Sequence, residues 1–147
     1  MMRIQPGTLM KSRRIFVLLA TLALFAAGCE QLLPDPDDGD IIGILEDSWR
    51  VEEESQVFGN TRYIVEIERH PLDSSRIYVD NFYNVDAAAE VTVSGRNLSI
   101  TDQVMDGGYR VYGSGTLSGD NESISWQYTV DDGSGQLDNI TAVYTRL

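Results

Sequence analysis

Cysteine is almost absent from this 147-residue chain: there is one, Cys29, so no internal disulfide can form and the core alone must stabilise the fold. Lysine is absent after Lys11, and His70 is the only histidine. A lone histidine without a Gly-x-Ser-x-Gly elbow gives no base for a nucleophilic triad, and His70, before Pro71 in a turn, reads as a solvated loop residue. No apolar run reaches the roughly 20 residues that a permanent membrane helix needs. Basic residues are scarce beside 23 Asp+Glu. Nucleic acid and anionic lipid surfaces, which need clustered cations, are excluded as partners.

The start of the chain is basic and carries no acidic residue. Arg3, Lys11, Arg13 and Arg14 precede Ile15–Ala27, an apolar and small-residue segment of about 13 positions, the length of a signal h-region. Met10 opens the more conventional form of this signal, so either Met1 or Met10 serves as the start. The run closes with Leu24-Phe25-Ala26-Ala27-Gly28-Cys29, which resembles the lipobox of bacterial lipoproteins. That resemblance implies cleavage between Gly28 and Cys29, with the Cys29 thiol carrying diacylglycerol and its amine usually acylated. Two or three acyl chains anchor a protein stably where one does not. Cys29 is then an anchor, neither a nucleophile nor a metal ligand. Loss of residues 1–28 would leave 7 Lys+Arg against 23 Asp+Glu, a formal charge of −16.

Residues 29–46 read as the lipidated cysteine and a tether. Glu30–Asp40 carries Pro34, Pro36, Gly39 and repeated carboxylates, a composition that stays extended and solvated. Glu30 follows the cysteine where the inner-membrane retention signal has aspartate, which favours the outer membrane. Asp35, Asp37, Asp38 and Asp40 resemble the acidic export signal of Bacteroidetes surface lipoproteins, leaving the periplasmic and cell-surface faces both open. Ile41–Leu45, interrupted by Gly43, reads as a turn plugging one end of the domain rather than as a helix.

From residue 47 to 147 the pattern becomes short runs with period two. The clearest is Ile124, Trp126, Tyr128 and Val130 against Ser123, Ser125, Gln127 and Thr129. Such alternation marks antiparallel, half-buried strands. Turn chemistry at His70-Pro71-Leu72-Asp73, Asp106-Gly107-Gly108, Ser118-Gly119-Asp120-Asn121 and Asp131–Gly135 separates them. About eight strands are expected, beginning near residues 48, 61, 75, 88, 97, 109, 122 and 138. The fold class is therefore all-β, an up-and-down barrel closed to remove its edges, with a β-sandwich as the alternative. Gly113 and Gly115 lie two apart in one strand, as tight coiling at a barrel corner requires.

Asp47-Ser48-Trp49 opens the first strand and Arg146 lies near the end of the last. This resembles lipocalin-like and avidin-like barrels, where such an arginine closes over a tryptophan. Gly113-Ser114-Gly115-Thr116, Trp126-Gln127-Tyr128, Asp132-Gly133 and Thr141-Ala142-Val143-Tyr144 stand in the order seen in small lipocalin-like lipoproteins of Bacteroidetes. The resemblance speaks to fold and hardly to function.

Three sets of side chains are candidates for chemistry. Tyr63, Tyr109, Trp126 and Tyr128 share the inward phase and suit a pocket wall, since each brings a polar atom to an apolar surface. Asp131, Asp132 and Asp138 around Gly133 and Gly135 form the best calcium candidate, and no other cofactor is expected. Glu52-Glu53-Glu54 reads as solvated surface rather than as a glycosidase pair. The expected function is that of a non-enzymatic, outer-membrane-anchored lipoprotein whose barrel binds a small apolar molecule or an envelope protein. The rival is a filled barrel acting as an interaction subunit or inhibitor, distinguished by large side chains that leave no cavity.

Overall fold

The computed structural model describes residues 39–147. The signal, Cys29 and the tether up to residue 38 lie outside the described residues. Eight strands follow one another in chain order: β1 Asp47–Ser55, β2 Gly59–Arg69, β3 Arg76–Asp80, β4 Ala89–Ser94, β5 Asn97–Val104, β6 Arg110–Leu117, β7 Ser123–Asp131 and β8 Leu137–Arg146. Each pairs antiparallel with the next, and β8 pairs back on β1 to close the barrel. Closure excludes the two-sheet alternative. A bulge between Ile100 and Gln103 shifts the β5–β6 register.

The alternation that builds the strands also fills the barrel. Trp49, Val51, Val65, Ile67, Ile77, Val79, Val91, Leu98, Ile124, Trp126 and Tyr144 turn inward and are at most 2% exposed. Gly113 and Gly115 face this interior because nothing larger fits. A Cβ at residue 113 would lie 2.4 Å from the Gln127 carbonyl oxygen, and one at residue 115 would lie 2.7 Å from the Trp126 ring.

Ile41–Leu45 is a helix, α1, rather than a turn. Asp40 caps it by accepting from the Gly43 N–H at 3.0 Å, and also pairs with Arg69 at 2.9 Å. Ile41, Ile42 and Leu45 enter the core cluster, so residues 41–45 belong to the folded body and not to the tether. The Trp49 Nε1–H donates to the Leu45 carbonyl at 2.9 Å. The Arg146 guanidinium stands 4.5 Å from the centre of the Trp49 ring and reaches Asp47 and the Ile44 carbonyl. One end of the barrel is thus closed by α1, Trp49 and Arg146.

Candidate ligand site at the barrel mouth

The opposite end is formed by the turns β1–β2, β3–β4, β5–β6 and β7–β8. There the inward phase of β1 continues from Trp49 and Val51 to Glu53 and Ser55, both 5% exposed. Glu53 is therefore not surface, as its place in Glu52-Glu53-Glu54 suggested. Its phase with Trp49 was the signal that marked it as interior. Tyr63 donates to Glu53 Oε2 at 2.5 Å, Tyr128 donates to the same oxygen, and the Thr61 hydroxyl reaches Oε1 at 3.4 Å. Three neutral donors surround the carboxylate, and among the described residues no basic side chain pairs with it.

The phenols are locked in their protonated form. Burial first, then Tyr144 and Glu53, push Tyr63 far above its ordinary value of 10.0. Burial, then Tyr144, Tyr63 and Glu53, do the same to Tyr128. Tyr144, wholly buried, is raised by burial and then by Glu53, and its hydroxyl has no hydrogen-bond partner. The Trp126 Nε1–H is likewise buried without a partner.

A second buried carboxylate, Asp138, holds the mouth together. It is 3% exposed because it shares the inward phase of Ile140, Ala142 and Tyr144 on β8. It accepts from Ser55 at 2.5 Å, from Tyr83 at 2.8 Å and from the Val57 N–H at 3.2 Å, tying β8 to the β1–β2 turn and to the β3–β4 loop. Asp131 and Asp132 instead cap their own turn, accepting from the Gly133 and Ser134 N–H groups. The three aspartates of the calcium candidate are not brought together, and no group of three or more metal-ligating side chains occurs among the described residues.

The β3–β4 loop had no signal in the sequence beyond its two aromatics. It folds into the mouth: Phe82 is fully buried, 4.7 Å from the Tyr128 ring and edge-on to Trp126 at 6.3 Å. Asn81, Tyr83, Asn84 and Asp86 all have positive φ, between 54° and 59°. For Tyr83, with φ 59°, this conformation costs about 1–2 kcal/mol, offset by ring burial and the bond to Asp138.

Of the four pocket tyrosine and tryptophan candidates, Tyr63 and Tyr128 converge on Glu53. Trp126 lies deeper, beneath Phe82 and against Tyr144. Tyr109 stands at the rim, edge-on to Tyr83 at 6.1 Å. Because Trp49, Trp126, Tyr144 and Phe82 fill the interior, there is no deep cargo chamber among the described residues. What remains at the mouth is an open cleft of about 230 Å³ lined by Glu53, Phe58, Thr61, Tyr83, Asn84, Val85, Tyr109 and Asp132. A larger groove, about 740 Å³, crosses the outer wall of β1, β2, β6, β7 and β8 over Ser114, Thr116, Ser125, Gln127 and Thr141. His70 sits at the closed end, beside Tyr78 at 4.9 Å and half-buried rather than solvated.

These features define a class: a small, filled, eight-stranded up-and-down β-barrel with a buried carboxylate beneath an open mouth. Among solved structures it is similar to a redesigned β-barrel, at TM-score 0.53 and 15% identity over 72% of this chain and 94% of that one. It is also similar to EF1p2_mFAP2b bound to DFHBI, at TM-score 0.52 and 15% identity over 71% of this chain and 95% of that one. At such identity the likeness shows the fold alone. No protein-family model matches the chain. No curated protein matches it either.

Proposed function

We propose that this protein is a lipid-anchored envelope protein whose barrel is a non-enzymatic binding module, taking a small molecule at its mouth. One observation carries the binding reading: an open cleft, walled by aromatic rings, ends on a carboxylate that is 5% exposed, while the rest of the interior is filled. A buried acceptor at the foot of an aromatic recess fixes the orientation of a ligand that the rings bury. The fold is compatible with this, and EF1p2_mFAP2b holds DFHBI on a similar barrel. The non-enzymatic reading rests on the separation of groups: the sole histidine lies at the closed end, and the mouth offers carboxylates and neutral phenols without an activated nucleophile. The anchor rests on the Leu24–Cys29 pattern, and Glu30 favours the outer membrane, on its periplasmic or cell-surface face.

Native mass spectrometry of the purified chain tests binding. A small mass that departs only on denaturation is expected; a bare mass from repeated preparations counts against the reading. Cys29→Ser tests the anchor, and should abolish palmitate labelling and move the protein from the membrane to the soluble fraction. The outer-wall groove favours a second reading, an interaction subunit with a filled barrel. A bare mass, with a co-purifying envelope protein that is lost on Ser125→Arg or Thr141→Arg, would support that reading instead.

A further inference from the structure

We propose that the ligand of the mouth cleft is a small organic ammonium ion, a refinement that rests on the mouth-binding reading above. The cleft carries two carboxylates, Glu53 at its foot and the exposed Asp132 at its rim, and no arginine or histidine lines it. After Lys11 the chain holds no lysine to reach it. Glu53 is the decisive group. Its contacts are a phenol from Tyr63, a phenol from Tyr128 and the distant Thr61 hydroxyl, all neutral. Burying a carboxylate without a counter-charge costs several kcal/mol, and proteins normally meet that with a paired cation. In the described residues the cation is not supplied by the protein, and the side of Glu53 that lines the cleft is where one can be received.

The walls fit the same ligand. Tyr83, Tyr109 and Phe58 line the recess, with the Tyr83 and Tyr109 rings edge-on at 6.1 Å. Aromatic faces attract alkylammonium groups within about 6 Å of the ring centre, and they do so more strongly when water is excluded. An apolar ligand would leave Glu53 without a counter-charge and desolvate it further. An anion would face both carboxylates. The cleft volume of about 230 Å³ is below the roughly 300–1,000 Å³ of drug-sized sites, which limits the ligand to a small amine or quaternary ammonium.

The test uses the full chain in a non-ionic detergent, with choline as the cation and 3,3-dimethylbutan-1-ol as its neutral isostere, each titrated by calorimetry. Choline should bind at least about tenfold more tightly than the isostere, because only the cation meets the carboxylate and the ring faces. Glu53→Gln should remove about tenfold or more of the choline affinity, and Tyr109→Leu, at a partly buried rim position packed against the edge of the core, about three- to tenfold. Tyr109→Leu keeps the experiment readable should Glu53→Gln fail to fold. Equal binding of choline and the isostere would overturn the cation while leaving a mouth ligand in place. Binding of neither overturns the cation. If the native mass spectrum is also bare, the mouth-binding reading falls with it.

Discussion

At the scale of single residues, the mouth trades stability for a polar cluster. Glu53, Tyr63 and Tyr128 occupy positions that elsewhere in the barrel hold valine, isoleucine or leucine. Removing only the acceptor strands two buried hydroxyls, whereas removing the whole cluster leaves none. Glu53→Leu should therefore destabilise by about 2–6 kcal/mol, since each of the two orphaned hydroxyls costs about 1–3 kcal/mol. The triple variant Glu53→Leu, Tyr63→Phe, Tyr128→Phe should recover most of that loss and come within about 1 kcal/mol of the parent, because an apolar replacement of a buried polar network is often neutral or better. Urea titration of both variants checks this. If the losses simply add, the cluster is a source of stability rather than a feature kept for binding. Asp138 behaves differently: it ties β8 to the β1–β2 turn and to the β3–β4 loop through Ser55, Val57 and Tyr83.

At the scale of elements, β6 shows how local sequence sets barrel curvature. Its two inward glycines let β7 approach so closely that Gly113 would place a Cβ 2.5 Å from the Tyr128 Cα. That neighbour is backbone and cannot rotate away. Gly113→Ala should lower stability by about 3 kcal/mol or more, at or beyond the usual range for overpacking. Gly119→Ala, in the β6–β7 turn with nothing within 4 Å, should change it by no more than about 0.5 kcal/mol. Thermal melts of the pair measure the difference, and similar melting points would mean that β6 yields. The strands were legible because period two is a direct imprint of one buried face: every expected start lies within two residues of the observed one. The glycine pair in β6 was legible for the same reason, since an inward position without a side chain demands a close neighbour. Two elements escaped. The five-residue α1 is too short for a helical stripe and is held by its Asp40 cap and by burial of Ile41, Ile42 and Leu45, which are tertiary facts. The β3–β4 loop takes its shape from four left-handed residues and from a phenylalanine packed on Trp126 and Tyr128 of β7, a contact distant in sequence. Glu53 was concealed between Glu52 and Glu54: composition suggested surface, while phase with Trp49 and Val51 placed it inside.

At the scale of the whole molecule, the ionisable groups separate into an outer shell and an interior that act at opposite ends of the pH range. On the surface, Asp40, Asp73, Asp102, Asp120 and Asp132 are all held below their ordinary 3.8: Asp40 by the Gly43 N–H and Arg69, Asp73 by Ser75, Asp102 by Arg110, Asp120 by Ser118 and Asp132 by Ser134. A carboxylate with a depressed folded value stabilises the fold above its unfolded value, and this contribution disappears as pH falls through the folded one. In the interior the sign is reversed. Tyr63, Tyr83, Tyr128 and Tyr144 are raised, chiefly by burial, so the fold favours their protonated form. Their contribution is complete below the ordinary phenol value of 10.0 and is lost as pH rises beyond it, because the unfolded chain ionises first. Stability should hold a plateau between about pH 4 and pH 10, with an acid limb from the shell and an alkaline limb from the mouth. The two limbs are separable. Added salt should weaken the part of the acid limb carried by the exposed Asp40–Arg69 and Asp102–Arg110 pairs, and leave the alkaline limb nearly unchanged. On the alkaline side, tyrosinate absorbance from these four of the seven tyrosines should appear together with the loss of near-ultraviolet circular dichroism rather than before it. Titration of all seven near pH 10 with the dichroism intact would show that the phenols beneath the mouth are open to solvent, and the buried carboxylate with them.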